Sequence, residues 1–386
     1  MDRPINDTNN NNSRQALEFT GSGTEYFGIW IVNLALTIVT LGIFSAWAKV
    51  RRLRYFYGHT RLDGHGFEYL GDPKRILIGR LIAVSLLAIY SAVTRYLPAY
   101  AFPLVCVLAV LIPFILVSSI AFTLRNTAYR HIRFRFRTSY AAAYKVVWLP
   151  ILLSLLLAGF VYSALPQQLA SNQGAMVDKA NLLPQILLLC FIPMIPWLDY
   201  LRARFVIDHS QYGSLRCNFT AGAGSFYGLY GLMLVITLGA MLLLLMILGV
   251  IFSAIFVGKP PTNPAALGKM VLVIVIPVYL VMFLLSGWFT SRRNTLLRNS
   301  AMFGKQALSG DFKGGAMAWI LFTNLLGMVF TLGLFYPWAA VRQARYNAVH
   351  TWIPTEELAS VTAEHDVDRS AVGEEIGDFF DIDIGL

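Results

Sequence analysis

Apolar positions dominate eight stretches of the chain, at about 27–47, 76–97, 100–123, 146–165, 182–198, 226–257, 268–289 and 317–338. Most reach roughly 20 residues, the length at which a helix crosses a hydrocarbon layer. Lipid offers no partner to a backbone amide, so such runs are expected as helices. The fifth carries Pro184, Pro193 and Pro196 and is expected to kink or shorten. The sixth is 32 residues long and should tilt, break near Gly249 or protrude. Between segments the period changes. Phe67-Glu68-Tyr69 and Ile132-Arg133-Phe134-Arg135-Phe136 alternate apolar with polar or charged, which suits short strands. The expected fold is an all-α polytopic membrane protein of about eight hydrophobic segments, with internal pseudo-repeats and short cytoplasmic β-like elbows.

Composition strengthens that reading. The 386 residues are 56% hydrophobic and 13% charged, against about 25% charged in soluble domains. Charge then orients the segments. Stretches 49–75, 124–145, 199–225 and 290–316 hold seven, six, three and five Lys or Arg. The alternating connections at 98–99, 166–181 and 258–267 hold zero, one and one. Basic residues gather on the cytoplasmic side of short loops, so the four rich stretches are placed inside the cell. Residues 1–18 are Asn-rich without a short apolar run behind a basic start, and read as a disordered polar leader rather than a cleaved signal. Residues 353–386 read as a flexible acidic tail, with ten Asp or Glu and one Arg from Thr355 onward. The membrane domain is thus 19–352.

The chain repeats itself. Shifted by 291 positions, Asn33 to Thr60 matches Asn324 to Thr351 at 14 of 28 positions without a gap. The matched residues include Asn33, Thr40-Leu41-Gly42, Trp47, Arg51, Arg54, Tyr55 and His59-Thr60, with Asn324, Thr331-Leu332-Gly333, Trp338, Arg342, Arg345, Tyr346 and His350-Thr351. Shared hydrophobicity does not produce such a set. Weaker copies follow Trp197, with His209-Ser210 at the same offset, and Trp288. A second signature opens several segments: Phe19-Thr20-Gly21-Ser22-Gly23, Phe219-Thr220-Ala221-Gly222 and Phe312-Lys313-Gly314-Gly315. Eight full crossings with basic elbows inside would put both termini outside. Segments one and eight each join an opening signature to a Trp-Arg closing one, so they could instead re-enter. Each is long enough for a crossing, and plain spans are the expectation.

The run Phe19-x-Gly-x-Gly-x-Glu-Tyr-Phe-Gly, followed by Thr40-Leu41-Gly42-Ile43-Phe44-Ser45-Ala46-Trp47-Ala48-Lys49-Val50-Arg51-Arg52, resembles the YjgN family of bacterial inner-membrane proteins, over about 17–352. The resemblance implies a location in the bacterial cytoplasmic membrane. That family is one of unknown function, so no activity, ligand or catalytic residue comes with it.

Candidate residues come from the repeat. Asn33 and Asn324, with Thr40 and Thr331, stand inside apolar segments and suggest a pseudo-symmetric polar site, or else hydrogen bonds that only hold helices together. Trp47, Arg51, Arg54, Tyr55, Trp338, Arg342, Arg345 and Tyr346 are candidate interface anchors, rings in the headgroup zone and arginines beside them. His59, His209 and His350 would form a pH-sensitive or metal-binding set only if their elbows converge; a wet interface is the plainer reading. The run Lys49-Val50-Arg51-Arg52-Leu53-Arg54 suits anionic lipid headgroups, with ordinary positive-inside topology as the plainer account. Arg80 and Arg95 lie near segment ends, and no Asp or Glu stands mid-segment. No HExxH, GxSxG, GK[ST] or metal-spaced cysteine occurs, so no enzyme, cofactor, metal or nucleic-acid role is expected. Two functions remain: a transporter or lipid-handling protein, since repeat-built membrane folds place sites between repeats, and a non-catalytic scaffold or accessory subunit, since midplane charges are missing.

Overall fold

The computed structural model describes residues 14–137, 139–170, 183–255, 264–355, 358 and 361. Among them, ten helices run in five hairpins: α1 (Gly23–Val39) with α2 (Ser45–His59), α3 (Pro73–Tyr96) with α4 (Ala101–Arg125), α5 (Tyr140–Ala170) with α6 (Leu183–His209), α7 (Ala223–Ile255) with α8 (Pro264–Ser300), and α9 (Gly314–Phe330) with α10 (Tyr336–Val349). Five stretches are long and apolar enough to cross a membrane: Pro73–Tyr96, Pro98–Arg125, Tyr140–Leu157, Ala223–Ile251 and Ile274–Ser300. The polytopic reading holds; the count of eight does not emerge. Of the three outcomes open to the sixth segment, a break is excluded, because α7 continues through Gly249. Pro193 and Pro196 lie inside α6.

Each helical hairpin stands on strands. These are β1 (Arg14–Ala16), β2 (Glu18–Phe19), β3 (Thr60–Leu62), β4 (His65–Tyr69), β5 (Thr127–Tyr129), β6 (Ile132–Phe136), β7 (Ser210–Tyr212), β8 (Leu215–Phe219), β9 (Ala301–Phe303), β10 (Gln306–Ala307), β11 (Ser309–Gly310) and β12 (Thr351–Pro354). Four two-residue loops link consecutive strands as hairpins, closing on Leu62↔His65, Tyr129↔Ile132, Tyr212↔Leu215 and Phe303↔Gln306. Asp63-Gly64 supplies the paired positive φ that tight hairpins need. All pairings are antiparallel, in the order β10-β9-β8-β7-β6-β5-β4-β3-β2 and, separately, β1-β12-β11. Only Leu17 separates β1 from β2, and only Leu308 separates β10 from β11. The two sheets therefore join through kinked strands into one closed antiparallel ring. A closed ring leaves no edge to pair with another chain.

The ring has five equivalent joints. Where each second helix ends, a carbonyl accepts the amide that leads into the first helix of the same hairpin: His59 from Thr20, Asn126 from Leu70, His209 from Arg137, Ser300 from Thr220 and His350 from Asp311, at 2.7–3.3 Å. The hydroxyls of Thr60, Thr127, Ser210 and Thr351 then cap the carbonyl four residues back, at 2.6–2.9 Å. Leu62, Tyr129, Tyr212 and Phe303, the last residues of β3, β5, β7 and β9, pack together with Leu17, Leu308 and Ile353 and fill the ring. Leu358 and Val361 of the tail lie against the same cluster. Tyr129 Oη donates to the Leu62 carbonyl and Tyr212 Oη to the Tyr129 carbonyl, both at 2.8 Å, so the buried phenols are satisfied.

Three expectations are corrected. Segments one and eight are not plain spans. Phe19 pairs with Thr60 and Gly310 with Thr351, so the chain leaves the ring along α1 or α9 and returns to it along α2 or α10. The reversal is a Schellman turn, in which Gly42 N–H donates to Thr37 O and Leu41 N–H to Ile38 O, with the same bonds from Gly333 to Met328 and Leu332 to Val329. Leu41 and Leu332 adopt left-handed φ of 50° and 52°. Both ends of the described chain thus lie on the ring face, beside the basic elbows, and not opposite them. The polar leader stops short of residue 18: Arg14–Ala16 pairs with Trp352–Pro354, because the seam between first and last repeats needs a strand from each terminus. For the same reason the tail does not start at 353. The rest of the leader and most of the tail lie outside the described residues.

Candidate functional site

A cavity of about 630 Å³ sits above the apolar filling of the ring. Its walls are one stripe from each of three second helices. On α2 the stripe is Lys49, Arg52, Leu53, Phe56 and Tyr57, continued by Thr60 of β3; on α4 it includes Ser119 and Thr123, continued by Thr127 of β5; on α10 it includes Tyr336, Gln343 and Asn347. These spacings of three and four residues keep one helix face toward the axis. α8 contributes Arg298. Among the described residues lining the cavity, three are cationic and none is acidic. Arg52 donates to Tyr336 Oη at 3.5 Å. Arg298 makes no hydrogen bond or ion pair with any described residue, while its stem packs where a Cβ on Gly310 would fall. Asn347 Oδ1 is buried without a donor. Such a chamber is chemically suited to an anion with polar edges.

A second cavity of about 320 Å³ shares Lys49, Arg52 and Tyr336 with the first and adds Asn33, Thr37 and Arg80. Arg80 stands eight residues into α3, inside a stretch apolar enough to cross a membrane, and donates to Ser45 Oγ.

The residues taken from the repeat fall elsewhere. Asn33 is buried, accepts from Arg51 Nη1 at 3.4 Å and lines the smaller cavity. Asn324 is also buried but donates to the Ala339 carbonyl at 3.4 Å, with its Oδ1 unpartnered, and lines neither cavity. The two amides are not brought to one site. Thr40 and Thr331 bridge the turns, each donating to the carbonyl four residues back at 2.7 Å and accepting from Phe44 or Phe335 N–H at 2.9 Å. Tyr55 Oη holds both backbone groups of Ser22, at 2.9 Å each, and Tyr346 Oη holds those of Lys313, at 2.8 and 3.0 Å. Arg54 donates to the Gly71 carbonyl at 3.4 Å and Arg345 to the Gly21 carbonyl at 2.9 Å. Both arginines therefore staple one hairpin to the start of the next, the last repeat reaching round to the first. Trp338 stacks on Phe27 at 5.0 Å and leaves no room for a Cβ on Gly23. Trp47 packs beside Val50 and Tyr69. Arg342 donates to Thr323 Oγ1 at 2.6 Å.

The histidines sit on separate joints, and Nδ1 of His59, His209 and His350 meets the carbonyl four residues back on its own helix at 2.8–2.9 Å. No group of three or more metal-binding side chains occurs among the described residues. Burial pushes the Tyr212 phenol up to about 12, helped by Tyr129, and the Cys217 thiol up to about 12, helped by Asp208. Both are held in the neutral form near neutrality.

Lys49 and Arg52 were visible in sequence only as part of a basic elbow, and Arg298 only within the Lys and Arg count of 290–316. The signal that finds them is the mixed stripe along α2, polar and apolar together every three or four residues, which a purely apolar helix–helix contact would not carry.

Comparison with known proteins fits this architecture. The family described as a bacterial protein of unknown function (DUF898) matches residues 14–379. The chain belongs to that family. It is 31% identical over 164 residues to an inner membrane protein YjgN of Salmonella typhimurium, covering 42% of this chain and 41% of that protein. It is 30% identical over 161 residues to the inner membrane proteins YjgN of Escherichia coli O157:H7 and of strain K12, covering 41% of this chain and 40% of each. The matched stretch thus spans about two-fifths of these curated relatives. No solved structure matches the chain.

Proposed function

We propose that this DUF898 protein is a multi-pass bacterial inner-membrane protein that takes an anionic ligand into the central cavity, in a transport or lipid-handling role, with its basic elbows toward the cytoplasm. The observation that carries the reading is Arg298, which lines about 630 Å³ and has no hydrogen-bond or ion-pair partner among the described residues. A desolvated arginine without a partner is costly unless something anionic completes it. The inner-membrane placement rests on the named relatives, and the orientation on the Lys and Arg bias.

Thermal unfolding of the detergent-solubilised full chain tests this. Inorganic phosphate should raise the midpoint saturably, beyond sodium chloride at equal ionic strength, and Arg298→Gln should abolish the rise. No anion-specific rise would overturn the reading.

The scaffold alternative has its own support. Tyr55, Tyr346, Arg54, Arg345, Thr40 and Thr331, which mark the duplication, all serve the hairpins and their joints. Crosslinking in native membranes should then recover one reproducible protein partner, and recovery of none would remove this alternative.

A further inference from the structure

We propose that the ligand of the central cavity is an amphiphilic monoanion, one carboxylate head held at Arg298 and an apolar body lying toward α2 and α4. The inference rests on the anion reading of that cavity and adds to it the class of ligand. Three observations converge. First, Arg298 is set apart within the ring. It stands two residues before the Ser300 carbonyl of its joint, and the same place in the other four second helices holds Tyr57, Leu124, Ile207 and Ala348. Four uncharged side chains and one arginine make a layer that is cationic on one side only. Of the three cations lining the cavity, Lys49 and Arg52 each interact further within the protein, whereas Arg298 has no hydrogen-bond or ion-pair partner among the described residues.

Second, an orphan amide stands at the same corner. The Arg298 stem packs where a Cβ on Gly310 would fall, Gly310 pairs with Thr351, and the Thr351 hydroxyl caps the Asn347 carbonyl. Asn347 Oδ1 is buried without a donor, so a guanidinium and an amide meet the cavity side by side with unused bonding capacity. Third, α2 and α4 present Leu53, Phe56, Ile120 and Leu124 to the same space.

The charge of the head and the nature of the body follow. One guanidinium without a partner balances one negative charge, and a second charge on the ligand would be desolvated without compensation. A planar carboxylate accepts two parallel hydrogen bonds from a guanidinium. Apolar walls around a few placed polar groups are the build of a pocket for an organic ligand, and about 630 Å³ lies within the usual size of one.

Isothermal titration of the detergent-solubilised full chain at neutral pH, with acetate, hexanoate, hexanedioate and inorganic phosphate as probes, tests this. Hexanoate should bind about tenfold tighter than acetate, because its added methylenes leave water. It should also bind about tenfold tighter than hexanedioate, which carries a second charge on the same chain. Arg298→Gln should weaken hexanoate about tenfold, with partial recovery in Arg298→Lys. Phosphate binding that depends on Arg298, with hexanoate no tighter than acetate or hexanedioate, overturns the ligand class and leaves the anion site standing. Binding of no anion overturns both. A gain with chain length that survives Arg298→Gln is partition into the micelle and overturns the proposal. Should Arg298→Gln fail to fold, competition in the unaltered chain decides. Inorganic phosphate should displace hexanoate, and hexanoate binding that ignores phosphate overturns the shared site.

Discussion

The outermost hairpins and the three between them share one plan and solve different problems. α1 and α2 have 17 and 15 residues, α9 and α10 have 17 and 14, whereas α7 and α8 have 33 and 37. At about 1.5 Å per residue, α1 falls a few ångströms short of a hydrocarbon layer and α7 exceeds it. Strand joints and capping hydroxyls recur around the ring, so helix length is what the repeats were free to vary. The first and last copies, which meet at the seam, are the short ones, and the smaller cavity lies there between α1, α2, Arg80 of α3 and Tyr336 of α10.

What holds the two kinds of hairpin also differs, and mutations separate them. In the middle, Asp199 of α6 takes a two-pronged ion pair from Arg293 of α8, at 2.5 and 2.7 Å, and a bond from Tyr230 of α7 at 3.2 Å. Asp199→Asn should cost about 3 kcal/mol, because the arginine stays largely buried without its counter-charge. The exposed Asp63–Arg130 pair at the ring's turns is the control, and Asp63→Asn should change stability by less than about 1 kcal/mol. Chemical unfolding in detergent reads both. Equal losses would mean that the middle hairpins are not held from within.

The short hairpins are held by close approach. A side chain on Gly23 would enter the Trp338 ring, as one on Gly314 would enter Trp288. Gly23→Leu should therefore cost about 1–3 kcal/mol by overpacking. Gly228 in α7 has open space around it, and Gly228→Ala should be neutral or stabilising by up to about 1 kcal/mol. A neutral Gly23→Leu would loosen the seam between first and last repeats.

Much of this was legible in the sequence and some was not, for physical reasons. The duplication of Asn33–Thr60 is a matter of residue identity, and the strands at Ile132–Phe136 follow from a period of two. Closure of the ring is not local: β1 meets β12 across more than 300 residues, and nothing in Arg14-Gln15-Ala16 announces its partner. The return at Leu41 was hidden because leucine avoids left-handed φ and gives no turn signal, leaving Gly42 as the only hint. The cavity was hidden by a correct rule. Lys49, Arg52 and Arg298 satisfy the positive-inside pattern whether they face lipid, water or the axis, so charge counting does not sort them.

The duplicated amides give a sharper test of how far the two end copies have diverged. Asn33→Leu strands Arg51, which loses its acceptor, and should cost about 1 kcal/mol. Asn324→Leu removes an acceptor that is buried and unpartnered, and should be neutral or slightly stabilising despite the loss of its long bond to Ala339. Thermal unfolding with matched responses at the two positions would mean that both amides do the same work and that the crevice beside Asn33 adds nothing.

The smallest effect concerns the tips. Leu41 and Leu332 are each 94% exposed, so neither packs on the protein, yet each holds a left-handed backbone that leucine resists. Glycine there relieves about 1 kcal/mol of strain and returns part of it as extra freedom in the unfolded chain. In a micelle the leucine meets detergent in both states, so its transfer energy cancels. Leu41→Gly and Leu332→Gly should each stabilise by about 0.5 kcal/mol in unfolding titrations. A loss at both would mean that the tips touch something after all, a second copy of the chain being the simplest candidate. A loss at one alone would show that the two short hairpins, identical in their turn bonds, no longer face the same surroundings.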